Sequence, residues 1–355
     1  MLSRKENKIN LFLKSVFMFP PYSKKNLLMA LGKKPKLSFC DFLISYICFP
    51  FNIYRLYNLL KKEKKYNQEP LIKSVNKKEK EKEINIFLTD KRTIPLIVSL
   101  TSFPQRMADI SYVLYSLINQ TLKPDKTILW LAKEQFPQKE NDLPDDVIGF
   151  VEKGLEIQWC EDLRSYKKLI PALKAFPNAN IVTADDDIYY PSDWLEKLYL
   201  AHLRHPGCIV AHRTHLIKTM NGKMASYNEW EKSVSLNQEM FSLFATGCGG
   251  ILYPEGALDK RVFDRRSFEE LCPNADDIWF WVMAVLNKTP IITAENNMRE
   301  LVYVNPEREL NSNGETTLYA LNKNGGNDRQ LKAVMQKYPE IADILKQDDS
   351  LKKKI

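Results

Sequence analysis

The chain is short of several residue types and patterns, and each shortage removes a class of function. Its six cysteines (Cys40, Cys48, Cys160, Cys208, Cys248 and Cys272) form no CxxC pair and no zinc spacing, and they lie too far apart for a disulfide framework. Reduced thiols in a cytoplasmic setting are the expectation. The four histidines are His202, His205, His212 and His215, and the step from His212 to His215 on a strand end does not put both on one face. Packing or acceptor contact is expected of them before metal ligation. No stretch reaches the ~18–20 apolar residues of a membrane span, and no small-residue cleavage site follows a clean apolar leader. No internal repeat is visible. No nucleic-acid recognition motif accompanies the basic charge.

What is present is 355 residues with 44% hydrophobic and 27% charged side chains, enough to bury a full core. The net charge of +8 is unevenly spread: residues 1–90 hold 19 Lys/Arg against 8 Asp/Glu, and residues 91–355 hold 33 against 36. The basicity therefore belongs to the first quarter. There, the run from Phe42 to Tyr54 is apolar and aromatic but interrupted by Pro50, with Lys33, Lys34 and Lys36 before it and Arg55 and Lys61 after it. Such a segment fits the surface of an anionic leaflet and equally a helical hairpin packed on the main domain. Residues 61–84 read as a solvated linker or charged helix. Three regions follow: a basic extension over 1–90, a main domain over 91–306, and a mobile loop with a C-terminal helix over 307–355.

Ile94–Leu100 is a nearly continuous apolar run, typical of a strand covered on both faces. Lys126–Leu131, Leu155–Trp159 and Ile181–Thr183 read as further strands. Between them, Ile110, Val113, Leu114, Leu117 and Ile118 fall on one helical face, and helical spacing recurs from Tyr166 to Phe176. This alternation predicts an α/β fold with a mostly parallel sheet. Ligands of such sheets bind outside the carboxyl ends of the strands. The loops at 101–106, 160–168 and 185–187 should converge there. Ser192 is the expected N-cap of the next helix.

The most informative feature is Asp185-Asp186-Asp187, set directly after the β-branched strand end Ile181-Val182-Thr183. Three adjacent carboxylates repel one another unless a cation gathers them. Oxygen-only ligands suit Mg²⁺ or Mn²⁺, commonly completed by substrate phosphates. A second acid pair, Asp276-Asp277, opens a helix that continues as Ile278 to Leu286, and Thr246 to Gly250 is a glycine-rich turn into a strand. Acids at a helix start are favoured by the macrodipole whatever their function. Cys248 reads as a small packed side chain, and core packing suits Trp279 and Trp281 better than sugar stacking.

Taken in order, the Thr101–Arg106 loop, the acid triplet, the glycine-rich turn and Ala275-Asp276-Asp277 resemble the GT-A (Rossmann-like) glycosyltransferases, broadly the family 2-like group, over roughly residues 93–290. The resemblance implies a nucleotide-diphosphate sugar donor, a UDP-sugar first among them. It makes Asp187 the direct metal ligand with Asp185 beside it, and turns Asp185 and Asp186 toward the nucleoside. Ser102 and Arg106 would lie along the uracil and ribose. Asp162 and Lys168 would fall among the nucleotide contacts, with Lys167 an alternative to Lys168 at the phosphates. Gly249 and Gly250 would let backbone approach the sugar. Asp277 would be the general base, Asp276 a cap or an acceptor contact, and Asn327-Asp328 a closing loop over the diphosphate.

The function so implied is a metal-dependent hexosyl- or N-acetylhexosaminyl-transferase extending a capsule or lipooligosaccharide. Its acceptor would be a glycan or lipid-linked acceptor, and its place the cytoplasm or the inner face of the plasma membrane. Inverting chemistry is expected. The second acid pair is Asp-Asp where that group commonly has Glu-Asp, an arrangement that also resembles retaining exostosin-type transferases. Two rivals stand outside the class. A metal-dependent phosphohydrolase or nucleotidyltransferase would also use acids at strand ends, but the nucleotidyltransferase would want a glycine-rich basic loop after the first strand, and Thr101–Arg106 has no glycine. A non-catalytic membrane-surface module would rest on the basic quarter alone.

Overall fold

Leu96–Thr101 (β1), Lys126–Ala132 (β2) and Asn180–Ala184 (β4) are apolar along nearly their whole length because both faces of the sheet they form are covered. The structure is a computed structural model describing residues 92–348, except 221–222, 296, 299 and 306–324. The expectations for residues 1–90, and for the loop as far as residue 324, lie outside the described residues.

The other strands of the main sheet are Leu155–Cys160 (β3), Ile209–Ala211 (β5), Ile251–Tyr253 (β11) and Ile291–Thr293 (β12). The sheet has seven strands in the order β12-β5-β11-β4-β1-β2-β3. All neighbours run parallel except β11, which is antiparallel to both β4 and β5. The expected mixed α/β architecture, with a mostly parallel sheet flanked by helices, is present. β3 departs from the apolar rule because it is an edge strand. Its polar Glu156 and Gln158 face partial solvent, and Glu156 pairs with Lys126 of β2.

Helix Ile110–Ile118 (α1) buries Ile110, Val113, Leu114 and Leu117 as its spacing requires. The helix expected over Tyr166–Phe176 is instead broken. Arg164–Lys168 is a 3₁₀ turn, and Ile170–Ala175 (α2) starts afresh with Pro171 in its first turn. Proline has no N–H to give a preceding turn, so it begins a helix more readily than it continues one. Helix Trp194–Arg204 (α3) has Asp193, not Ser192, at its N-cap, without a side-chain cap. Gln120 does the capping: its Oε1 accepts from the Leu195 N–H at 3.0 Å and its Nε2 donates to the Pro191 carbonyl at 2.8 Å.

The region between β5 and β11 contains short strands. Thr214–Leu216 (β6), Glu231–Val234 (β9) and Leu243–Ala245 (β10) form an antiparallel sheet in the order β10-β6-β9, and Thr219–Met220 (β7) pairs with Lys223–Met224 (β8). Three-residue strands give too little periodicity to read.

Arg265–Leu271 (α4) leads to Asp276–Leu286 (α5), the most buried helix, with Trp279 and Trp281 both in the core. Asn327–Lys337 (α6) and Glu340–Leu345 (α7) follow, and Leu331 and Val334 of α6 pack against the same core. Among the described residues no helix is long and apolar enough to cross a membrane.

Candidate active site

The sheet order turns back on itself at β1 and β4: β2 and β3 continue on one side, β11 and β5 on the other. The crevice at the carboxyl ends of such a strand pair is where doubly wound sheets bind ligands. β1 delivers Ser102 there and β4 delivers the acid triplet. Ser102 Oγ donates to Asp186 Oδ2 at 2.5 Å, and Arg106 Nη1 lies 3.2 Å from Asp187 Oδ2. The first-loop residues and the triplet are thus in direct contact, as the sequence predicts. Burial drives the Asp186 carboxyl above the ordinary aspartate value, against the opposing pull of Arg106 and Ser102.

Tyr190 pins the triplet from behind. The Asp185 N–H donates to the buried Tyr190 Oη at 2.8 Å, and that hydroxyl reaches the Cys248 carbonyl at 3.4 Å. The far side is held by residues 302–304, where Tyr189 N–H donates to the Val302 carbonyl and Val304 N–H to the Asp187 carbonyl.

Lys168 joins the two acid motifs. Its carbonyl accepts from Ser99 Oγ at 2.6 Å, which fixes the end of the 3₁₀ turn under β1. Its Nζ lies 2.8 Å from Asp185 Oδ1 and 3.1 Å from Asp276 Oδ2. Burial opposes the charge, but Asp185, Asp276 and Asp277 outweigh it and hold the ammonium well above the ordinary lysine value. Asp276 therefore serves as an ion-pair partner in the first turn of α5, not as its cap.

Asp277 is placed by the glycine-rich turn. The Gly247 N–H donates to both carboxylate oxygens, each at 3.1 Å. An apolar wall that includes Tyr253, Phe280 and Trp281 lies behind the carboxyl. Burial, and then repulsion from Asp276, raise it to about 7. Gly247 itself has no room for a side chain: a Cβ there would stand 2.7 Å from Lys168 Nζ and 3.0 Å from Asp277 Oδ1.

Other expected residues are engaged elsewhere. Asp162 accepts from Lys167 Nζ at 2.7 Å, the Arg164 N–H at 2.9 Å and Gln135 Nε2 at 2.9 Å. It organises the turn that presents Lys168, and Lys167 is spent on it. The Cβ directions of Gly249 and Gly250 point at packed side chains. One at Gly249 would meet Arg213 at 2.7 Å, and one at Gly250, where φ is +90°, would meet the Trp194 ring at 2.4 Å. Asp328 bonds Ser226 Oγ at 2.8 Å and the Tyr227 N–H at 2.7 Å. His212 accepts from the Met298 N–H and donates to the Trp194 carbonyl, and burial lowers it to about 4. Burial pushes the Cys248 thiol up to about 11, in keeping with a packed side chain.

The sequence reading missed Gly247, Tyr190 and Arg213, as well as Phe103, which is exposed beside Ser102. Gly247 shared its signal with the glycines after it. Tyr190 and Arg213 carry none that separates them from core or surface residues.

Five carboxylates, Asp185, Asp186, Asp187, Asp276 and Asp277, gather here with the cations Lys168 and Arg106. Among the described residues no group of three or more His, Cys, Asp or Glu side chains could hold a metal ion. The donor set fits a hard cation held by one or two carboxylates and completed by phosphate oxygens, the usual manner of Mg²⁺, rather than an all-protein cage.

No protein-family model matches the chain, and no curated protein is similar to it. Among solved structures the chain is similar to S. aureus TarS 1-349, at 16% identity and a TM-score of 0.39, with 59% of each chain covered. It is similar to TarS 1-349 in complex with UDP-GlcNAc at 15% identity and a TM-score of 0.38, over 59% of this chain and 57% of that one. Its similarity to 4-diphosphocytidyl-2C-methyl-D-erythritol synthase is 12% identity and a TM-score of 0.34, over 62% and 97%. The chain spans less than two thirds of the TarS 1-349 structures' own length.

Proposed function

We propose that the chain is a glycosyltransferase that moves a sugar from a nucleotide-diphosphate donor to a hydroxyl acceptor, with inversion. The observation that supports this reading is the single hydrogen-bonded and ion-paired assembly at the β1/β4 crevice. It links Ser102 to Asp186, Arg106 to Asp187, and Asp185 through Lys168 to Asp276. The domain responsible would span residues 91–306.

Asp187, with Asp185, would hold a Mn²⁺ or Mg²⁺ ion, which supplies charge neutralisation for the leaving diphosphate. Ser102, Arg106 and Asp186 line the nucleoside side, and the exposed ring of Phe103 offers a stacking face for the base. Asp277 takes the proton of the acceptor hydroxyl as that oxygen attacks the anomeric carbon and the bond to the diphosphate breaks. A carboxyl raised to about 7 suits a base working near neutral pH. The Gly247 N–H fixes its orientation. Lys168 keeps Asp185 and Asp276 from repelling one another while Asp277 changes charge.

The acceptor class proposed is a cell-surface glycan, capsule or lipooligosaccharide, met on the inner face of the membrane. The basic 1–90 segment is the feature of the sequence that supports this placement.

Thermal-shift and calorimetric titration of UDP-, GDP- and CMP-sugars, with and without Mn²⁺, tests the reading. One nucleotide sugar should bind in a Mn²⁺-dependent way, and Asp187→Ala should lose that binding. Failure of every donor with the full chain, or unchanged binding in Asp187→Ala, overturns the metal and donor assignments.

A further inference from the structure

A second cluster of charge adjoins the glycine-rich turn. Arg213 immediately precedes β6. Its carbonyl accepts from the Thr246 N–H at 3.0 Å, so its backbone is tied to the turn that carries Gly247. Its Nη1 donates to Thr246 Oγ1 at 3.2 Å and reaches Cys248 Sγ at 3.9 Å, while its buried Nε has no hydrogen-bond partner. Among the described residues no carboxylate pairs with it. A guanidinium with a buried, unpartnered Nε and no acid partner is a costly arrangement for the fold alone.

Lys232 of β9 is brought to the same cluster by a bulge. Thr214 pairs with Val234 and Leu216 with Glu231, so β9 spends one residue more than β6 between the two pairs. Ser233 absorbs the irregularity with φ at +52°, a left-handed value rare for a residue with a side chain. Bulges of this kind re-aim side chains beside functional sites. His215 holds the bulge by accepting from the Ser233 N–H at 3.1 Å. The Lys232 ammonium lies 3.4 Å from the centre of the Tyr227 ring and donates to the Tyr227 carbonyl, and the His215 ring stands 5.9 Å from the same tyrosine. Lys232 is exposed and, among the described residues, forms no ion pair. Asp328, whose charge acts on Lys232, is engaged with Ser226 and the Tyr227 N–H.

We propose that Arg213 and Lys232, framed by His215 and Tyr227, bind a phosphate group carried by the acceptor. A phosphate supplies several acceptor oxygens to two cations that the described protein leaves unpaired, and a guanidinium fork matches it in shape. Partial covering of its stem and then the Arg213 charge lower the Lys232 ammonium to about 8, a repulsion that an anion between the two relieves. Arg213 and Asp277 contact the same turn, Arg213 through Thr246 and Asp277 through the Gly247 N–H. A group bound at Arg213 therefore belongs to the molecule whose hydroxyl meets Asp277, and the donor diphosphate belongs to the rim. This assignment rests on the glycosyltransferase reading; the anion site itself does not.

Phosphorus NMR titration of the full chain with inorganic phosphate, in the absence and presence of UDP and Mn²⁺, tests it. Phosphate should bind whether or not UDP is present. Arg213→Gln and Lys232→Gln should each weaken it roughly tenfold, the loss of one charge-assisted contact, without altering UDP affinity. Glycerol 3-phosphate and glycerophosphoglycerol should displace it, as esterified acceptor phosphates must. Lys232→Gln changes an exposed side chain and serves even where Arg213→Gln fails to fold. Phosphate binding that UDP abolishes, or that neither substitution weakens, overturns the site. Binding of inorganic phosphate that neither ester displaces overturns the acceptor assignment. If UDP never binds while phosphate still requires Arg213 and Lys232, the anion site stands and the glycosyltransferase reading falls.

Discussion

The Gly247 N–H donates to both oxygens of the Asp277 carboxylate, so one backbone group holds the side chain that the proposed chemistry asks to accept a proton. A hydrogen bond to the charged form favours ionisation, whereas burial and Asp276 oppose it more strongly, and the carboxyl settles at about 7. Its folded value lies above its unfolded one. Between the two the folded chain holds the extra proton, and the charge of Asp277 costs stability increasingly as pH climbs from about 4 toward about 7.

Asp277→Asn should therefore be more thermally stable than the parent at about pH 8, with the gain vanishing near pH 4. Transfer should fall by on the order of 10²–10⁴-fold, with nucleotide-sugar binding retained. The parent's transfer rate should rise with pH through about 7. A pH–rate profile and melting curves at the two pH values check this, and near-normal turnover in the variant removes Asp277 as the base.

Two glycines in one turn should respond differently to a methyl group. Gly247→Ala drives a Cβ to within 2.7 Å of Lys168 Nζ and 3.0 Å of Asp277 Oδ1. Displacing the base by even about 1 Å costs on the order of 10²-fold in rate. Gly250→Ala meets the Trp194 ring at 2.4 Å with φ at +90°, so it should act on stability, by about 1–3 kcal/mol from overpacking and more from backbone strain. Chemical denaturation and donor binding measured on both variants separate them. A Gly250→Ala protein of normal stability contradicts the packing described.

Lys168 is the cation between Asp185 and Asp276, and its side chain is almost fully enclosed. Lys168→Met keeps most of the volume and leaves the carboxylates facing one another. Removing one partner of a buried pair costs about 3–5 kcal/mol. The variant should be strongly destabilised near neutral pH and partly restored by acid, where the carboxylates protonate. A urea midpoint that does not move excludes Lys168 as the link between the acid motifs.

The parallel strands were legible because burial on both faces leaves runs such as Leu96–Leu100 and Ile181–Thr183 with no polar alternation. The acid triplet was legible because a strand end fixes where it must lie. The two halves of the site came together for the same reason. Packing against Arg213 and Trp194 already requires Gly249 and Gly250, and a glycine required by a packed tryptophan looks in sequence like one required by a ligand. The break at Lys168 was hidden because Leu169, Ile170 and Leu173 keep helical spacing across Pro171. Arg213 and Lys232 depend on a bulge and, among the described residues, on the lack of an acid partner, and neither leaves a mark in a single sequence.

Ser102→Ala provides the last test, because it removes the donor that meets Asp186 at 2.5 Å and little else. Asp186 already lies above its ordinary value through burial, and the serine hydroxyl is one of the groups pulling it down. Without that hydroxyl the carboxyl should rise further. Parent and variant differ only where the folded Asp186 is ionised, so the penalty is absent in acid and grows as pH rises through its raised folded value. A bond to a charged group contributes about 1.5–3 kcal/mol. The difference in unfolding free energy between parent and Ser102→Ala should therefore widen from near zero in acid to roughly that size once the folded Asp186 is ionised, with Tyr190 and the backbone bonds of the triplet untouched. A difference that does not change with pH means that the hydroxyl does not act through the Asp186 charge, and it would separate the first loop from the acid triplet that the proposed donor site needs beside it.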